Sequence, residues 1–264
     1  MKIHLLTIYL ISTGLMAQTH QAMENKNIHG QFARVQVLNT SNFRDKITGL
    51  IYDLKTKSSC TGTLIGPRHV LTAAHCIYNF KTKEWSENLT FKPGGVSKDD
   101  PGLGIFSFNK FFVQKEYIDS MSEEYDFAMI ELDTPVGDSI GWAGFRALTK
   151  DESVEGNVFS ITFAGYPGDE DFGTLWKVSC PGTVKEKLLT YYCDSFGGMS
   201  GSALFKTTDS QNFVIGIHTF GGVEKNGGVF IDSINYQLID SWKNLSNFST
   251  NTIVHFKNLS SSTF

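Results

Sequence analysis

Short apolar or alternating runs, cut by turn residues, dominate the chain. One set covers residues 47–54, 61–65, 69–72, 105–114 and 127–132, with Gly66-Pro67, Pro93-Gly94-Gly95 and Asp100-Pro101-Gly102 as punctuation. A second set covers 158–164, 175–178, 188–193, 202–205, 213–218 and 228–231. Runs of this length and spacing predict an all-β protein of two barrels or sandwiches, joined near residues 134–149. One amphipathic helix is predicted over 233–243, where Ile234, Leu238, Ile239 and Trp242 recur at helical spacing. It is expected to pack against the second barrel. The Ser-, Thr- and Asn-rich tail after 244 is expected to fray. No internal repeat or nucleotide-binding loop is present.

Composition sharpens this picture. Of 264 residues, 41 % are hydrophobic and 19 % charged, the balance of a compact folded chain. Twenty-three Lys and Arg against 27 Asp and Glu give a net charge of -4, so no basic field exists to hold nucleic acid. Met1-Lys2, an apolar stretch over 3–16 and Ala17 form the pattern of a secretory signal, residues 1–17, too short to span a bilayer. No later stretch approaches about eighteen apolar residues, so the mature chain is expected to be exported, without a membrane anchor. Residues 18–34 are polar and aperiodic, which suits a pro-segment.

Export changes how the cysteines are read. Cys60, Cys76, Cys180 and Cys193 are even in number, and two disulfides fit an oxidising compartment. Chain order favours Cys60 with Cys76 and Cys180 with Cys193, each closing a loop of roughly fifteen residues that stabilises by about 3 kcal/mol in the chain-entropy account. Neither CxxC nor HExxH spacing occurs, so no metal and no cofactor are expected.

A nucleophilic serine needs a base, a group that orients the base, and backbone donors for an oxyanion. Phe196-Gly-Gly-Met-Ser-Gly-Ser202 offers a glycine-flanked Ser200, with the amides of Gly198 and Ser200 free to point into one cavity. Alone this stretch reads more readily as an ordinary Gly/Ser turn. The weight shifts with Cys60-Thr-Gly-Thr-Leu-Ile-Gly-Pro-Arg-His-Val-Leu-Thr-Ala-Ala-His-Cys76, which resembles the catalytic histidine segment of chymotrypsin-like serine proteases. That resemblance implies His75 as the base and two six-stranded antiparallel β-barrels with a C-terminal helix, here 35–140 and 141–246, followed by a polar tail over 247–264. It also implies a carboxylate between base and nucleophile in chain order. Tyr125-Asp126-Phe-Ala-Met-Ile-Glu-Leu132 resembles the family's aspartate before an alternating strand, so Asp126 is preferred to Asp119 or Asp133.

Two further segments, Ile161-Thr-Phe-Ala-Gly-Tyr-Pro-Gly-Asp169 and Val214-Ile-Gly-Ile-His-Thr-Phe-Gly-Gly222, resemble the V8-type glutamyl endopeptidases among secreted bacterial proteases. In that group a freed N-terminal amine helps bind the acidic side chain of the substrate. Arg34-Val35 is the expected processing point, which would give that amine to Val35. Met199 stands where the animal digestive enzymes carry the aspartate that pairs with their new N-terminus, so activation must differ.

The specificity pocket is expected to draw on Asp194, Ser195, His218, Thr219, Gly221 and Gly228. Two readings compete: Asp194 at the pocket base selecting Lys or Arg, or His218 and Ser195 binding a carboxylate. The resemblance favours cleavage after Glu, more weakly after Asp. A protease fold retained for binding, with proteolysis lost or restricted, is the alternative of another class. A lipase-like order would need the histidine after Ser200, as His218 or His255. The expectation is a secreted monomer acting on protein or peptide substrates.

Overall fold

The computed structural model describes residues 27–207, 211–245 and 250–257. The proposed signal sequence, the first part of the pro-segment and the last residues of the tail lie outside them. The strands Thr48–Asp53, Ser59–Leu64, His69–Thr72, Ala128–Leu132, Phe106–Gln114 and Leu89–Pro93 pair in that order, and the last returns to the first. Val158–Gly165, Leu175–Lys185, Leu188–Tyr191, Asn226–Phe230, Phe213–Phe220 and Ala203–Lys206 close a second ring in the same way. Every pairing within the rings is antiparallel, so the fold is two closed six-stranded barrels.

Closure follows from the residue pattern. Ile51, Val70, Phe91, Phe111 and Ile130 share the inner face of the first barrel, while Ile161, Phe163, Leu189, Leu204 and Ile215 fill the second. Both expected disulfides form, Cys60–Cys76 in the first barrel and Cys180–Cys193 in the second. Among the described residues no helix is long and apolar enough to cross a membrane.

Several elements differ from the pattern-based expectation. The strand Leu89–Pro93 was hidden because it is short and runs into Pro93-Gly94-Gly95, which reads as a turn. Leu175–Lys185 extends well beyond 178, since Pro181, a strand breaker in sequence, occupies an exposed position that the barrel tolerates. Val35–Val37 pairs with Leu175–Lys177, so the chain from 35 begins on the second barrel. The expected fraying tail instead carries a strand, Thr252–Phe256, added to the edge of Phe106–Gln114.

The C-terminal helix, Ser233–Asn244, is capped by Asp232, whose side chain accepts from the Asn235 amide at 2.7 Å. Its apolar stripe does not face the second barrel alone. Leu238, Ile239 and Trp242 join one cluster that also holds Val214 and Val229 of the second barrel and Phe112 and Phe127 of the first. The Trp242 ring lies 6.2 Å from Phe112 and 5.6 Å from Phe127, and its Nε1 donates to Thr252 Oγ1 at 2.9 Å. The helix therefore ties the barrels and the added C-terminal strand together. Trp242 is fully buried, and Trp242→Ala is expected to lower stability by about 3–5 kcal/mol in urea unfolding.

Candidate active site

The turn carrying Ser200 is fastened to the opposite barrel by backbone chemistry. The Thr61 amide donates to the Ser200 carbonyl at 2.8 Å, and Thr61 Oγ1 donates to the Gly198 carbonyl at 2.8 Å. Thr61 Oγ1 also accepts from the Tyr166 amide at 3.1 Å, while Thr72 Oγ1 donates to the Thr61 carbonyl at 2.8 Å. On the other side, the Gly201 amide donates to the His218 carbonyl at 2.7 Å. So close an approach demands glycine. Gly201 has φ +88°, and a Cβ there would lie 2.1 Å from the Thr61 carbonyl oxygen. Gly198, at φ +103°, would place one 2.3 Å from the Tyr166 carbonyl oxygen. Among the described residues, the amides of Gly198 and Ser200 have no backbone acceptor.

His75 sits in a 3-10 turn, Ala74–Cys76, that the Cys60–Cys76 disulfide pins to the strand Ser59–Leu64. Its Nδ1 lies 2.7 Å from Asp126 Oδ2, and its backbone amide donates to Asp126 Oδ1 at 3.0 Å. One buried carboxylate thus fixes both the ring and the main chain of the histidine. His75 and Ser200 share a groove of about 650 Å³ that Gly197, Gly198, Tyr78 and Tyr117 also line. Asp119 and Asp133 are engaged elsewhere, with Lys115 and Ser107.

The electrostatics follow from these contacts. Burial alone would lower the His75 pKa, but the charge of Asp126 and its hydrogen bond outweigh that and raise it above the ordinary 6.5. Glu123 is raised as well, by burial and by the neighbouring Asp126. His218 is buried without a carboxylate partner, and desolvation lowers its pKa to about 4 despite a bond to the Gly227 carbonyl.

Asp194, Ser195 and Gly221 of the expected pocket hold the described part of the expected pro-segment, the arm over 27–34. Asn27 abuts Gly221 so closely that a Cβ on the glycine would lie 2.2 Å from the Asn27 side chain. The Asn27 carbonyl accepts from the Ser195 amide at 3.2 Å and from Asn226 Nδ2 at 2.8 Å. Asp194 Oδ1 accepts from the amides of His29 and Gly30 at 2.7 and 2.8 Å. Phe32 bridges to Cys193, and Arg34 pairs with Asp169 and Glu170. Val35 follows as an exposed strand residue opposite Lys177. Thr219 occupies a bulge between His218, opposite Gly228, and Phe220, opposite Gly227. Gly228 is required by the sheet itself, since a Cβ would lie 2.0 Å from the Ile217 carbonyl oxygen.

Three residues of this site escaped the sequence reading. Thr61 carried a signal, its place beside Cys60 in the histidine segment. Tyr191, whose hydroxyl lies 2.7 Å from His218 Nδ1, had only its place in a predicted strand, and Asn226, whose Nδ2 also donates to the Cys193 carbonyl at 2.8 Å, had none.

A carboxylate-bound imidazole that shares a groove with a glycine-flanked serine, on two six-stranded barrels, forms the architecture of a serine endopeptidase. The family described as Trypsin matches residues 46–239, and the chain belongs to it. A glutamyl endopeptidase of Bacillus licheniformis is 32 % identical over 228 residues, covering 83 % of this chain and 70 % of that protein. A Bacillus subtilis protein named extracellular metalloprotease is 31 % identical over 230 residues, covering 85 % of this chain and 72 % of its own length. The solved structure of a Glu endopeptidase in complex with MPD superposes with TM-score 0.72 at 30 % identity, covering 83 % of this chain and 99 % of that one. Cys60, His75 and Cys76 cluster closely enough to suggest metal ligands, but both sulfurs are consumed by their disulfide.

The raised His75 pKa has a direct check. An NMR titration of the imidazole is expected to give a midpoint above the ordinary 6.5, and Asp126→Asn should move it down, because it removes the charge while burial remains.

Proposed function

We propose that this chain is a secreted endopeptidase that cleaves after glutamate, with Ser200 as nucleophile, His75 as base and Asp126 as its orienting carboxylate. Ser200 Oγ attacks the scissile carbonyl while His75 Nε2 takes its proton, and the resulting imidazolium is stabilised by Asp126 across the 2.7 Å contact. The amides of Gly198 and Ser200 receive the oxyanion. His75 then protonates the departing amine, and water hydrolyses the acyl-enzyme by the same steps in reverse roles.

Glutamate as the preferred residue is supported by one observation above the others. Among the described residues the hydroxyls of Ser195 and Thr219 are buried and have no hydrogen-bond partner, and Thr219 directly follows the buried imidazole of His218. Unmade donors are costly inside a protein, and a carboxylate entering there would satisfy them. The glutamyl endopeptidases among the relatives point the same way. A second reading, cleavage after Lys or Arg, draws on Asp194, a buried carboxylate whose bound donors both come from the arm.

The arm explains how the enzyme is kept latent. Residues 18–34 act as a pro-segment, of which 27–34 cover the pocket through Asn27 and the amides on Asp194. Arg34, only 8 % exposed in its side chain and held by Asp169, must lift before a protease can cut at Val35. Export by a signal over 1–17 delivers the precursor, and the two disulfides suit that compartment.

Paired p-nitroanilides ending in Glu and in Arg test the specificity, and the processed enzyme is expected to turn over the Glu substrate. Turnover of the Arg substrate alone would refute the glutamyl reading. Ser200→Ala should reduce kcat by about a million-fold and Asp126→Asn by about ten-thousand-fold in the same assay.

A further inference from the structure

His218 faces a choice of tautomer that decides what its pocket can bind. A neutral imidazole has one N–H and one bare nitrogen, and the partner of one nitrogen sets the role of the other. Two groups approach Nδ1: the Tyr191 hydroxyl at 2.7 Å and the Gly227 carbonyl at 3.1 Å. The carbonyl only accepts, whereas the hydroxyl either donates or accepts. If Nδ1 carried the proton, it would donate to the carbonyl, and the Tyr191 hydrogen would be left without an acceptor. Among the described residues that buried hydroxyl has no partner other than His218. The Gly227 carbonyl, by contrast, belongs to a strand paired along both edges. A stranded buried donor is the costlier defect.

We propose that Tyr191 is a positioning residue for specificity: its hydroxyl donates to Nδ1 of His218 and holds the ring with its proton on Nε2, the donor that a substrate carboxylate needs. This rests on the reading of His218 as a ligand for glutamate. Burial keeps the Tyr191 phenol far above its ordinary range, so the hydroxyl retains its proton. Burial also keeps His218 uncharged at neutral pH, and the ring is stacked at 5.2 Å on Phe163, which orients its plane. Recognition then depends on a directed hydrogen bond from an uncharged ring. The opposite tautomer would present a bare nitrogen, which repels a carboxylate and accepts from a carboxamide. Tyr191 thus sets the choice between glutamate and glutamine.

Two measurements test this. In the processed enzyme, Tyr191→Phe is expected to lower kcat/KM for a Glu p-nitroanilide about tenfold, mainly through KM, and to shift the Glu-to-Gln ratio towards Gln. An unshifted ratio in a folded variant would overturn the proposal. Nitrogen-15 NMR of the full wild-type chain is expected to show His218 with a protonated Nε2 and a bare Nδ1. The reverse pattern would overturn the proposal even if the variant failed to fold. If the wild-type enzyme showed no preference for Glu, the glutamyl reading would fall, while the NMR result would still judge the role of Tyr191.

Discussion

The molecule depends on the seam at Thr61. This one residue uses its amide, hydroxyl and carbonyl to hold Ser200 and Gly198 of one barrel against Thr72 of the other. Each barrel has apolar filling of its own, and one cluster spans both, but burial alone does not position a serine against an imidazole. The hydrogen bonds at the seam do that, and they form only because Gly201 has no side chain to keep the backbones apart. The disulfide at Cys60 and Cys76 reinforces the same point from the histidine side.

Around this seam two imidazoles have been given opposite characters by their partners. His75 meets a carboxylate, so its protonated form is favoured over the ordinary case and it suits a role in which it gains and loses a proton. His218 meets a hydroxyl and a carbonyl, so burial wins and the ring stays neutral. In the proposed mechanism, proton transfer and substrate recognition fall to two residues of one type with opposite charge preferences.

The legible part of the sequence was the part governed by local rules. Alternating runs between turn signals located most strands of both barrels, and the loop lengths between cysteines favoured the pairs that form. Beyond those rules, resemblance to the family's histidine segment marked His75, and resemblance to its aspartate before an alternating strand distinguished Asp126 from Asp119 and Asp133. What remained hidden was governed by distant contacts. Val35–Val37 and Thr252–Phe256 are strands because each adds to an existing barrel edge, which their polar surroundings do not reveal. The helix stripe at Leu238, Ile239 and Trp242 was visible, but its sharing between barrels was not. The arm over 27–34 looked unstructured because its order comes from Asp194, more than 160 residues away.

If the seam brings base and serine together as proposed, one serine hydroxyl becomes nucleophilic. A fluorophosphonate probe reacted with the processed protein, followed by mass-spectrometric peptide mapping, reads this directly. The label is expected on Ser200 and should disappear in His75→Ala. A folded, processed protein that took no label, or took it on another serine, would contradict the account.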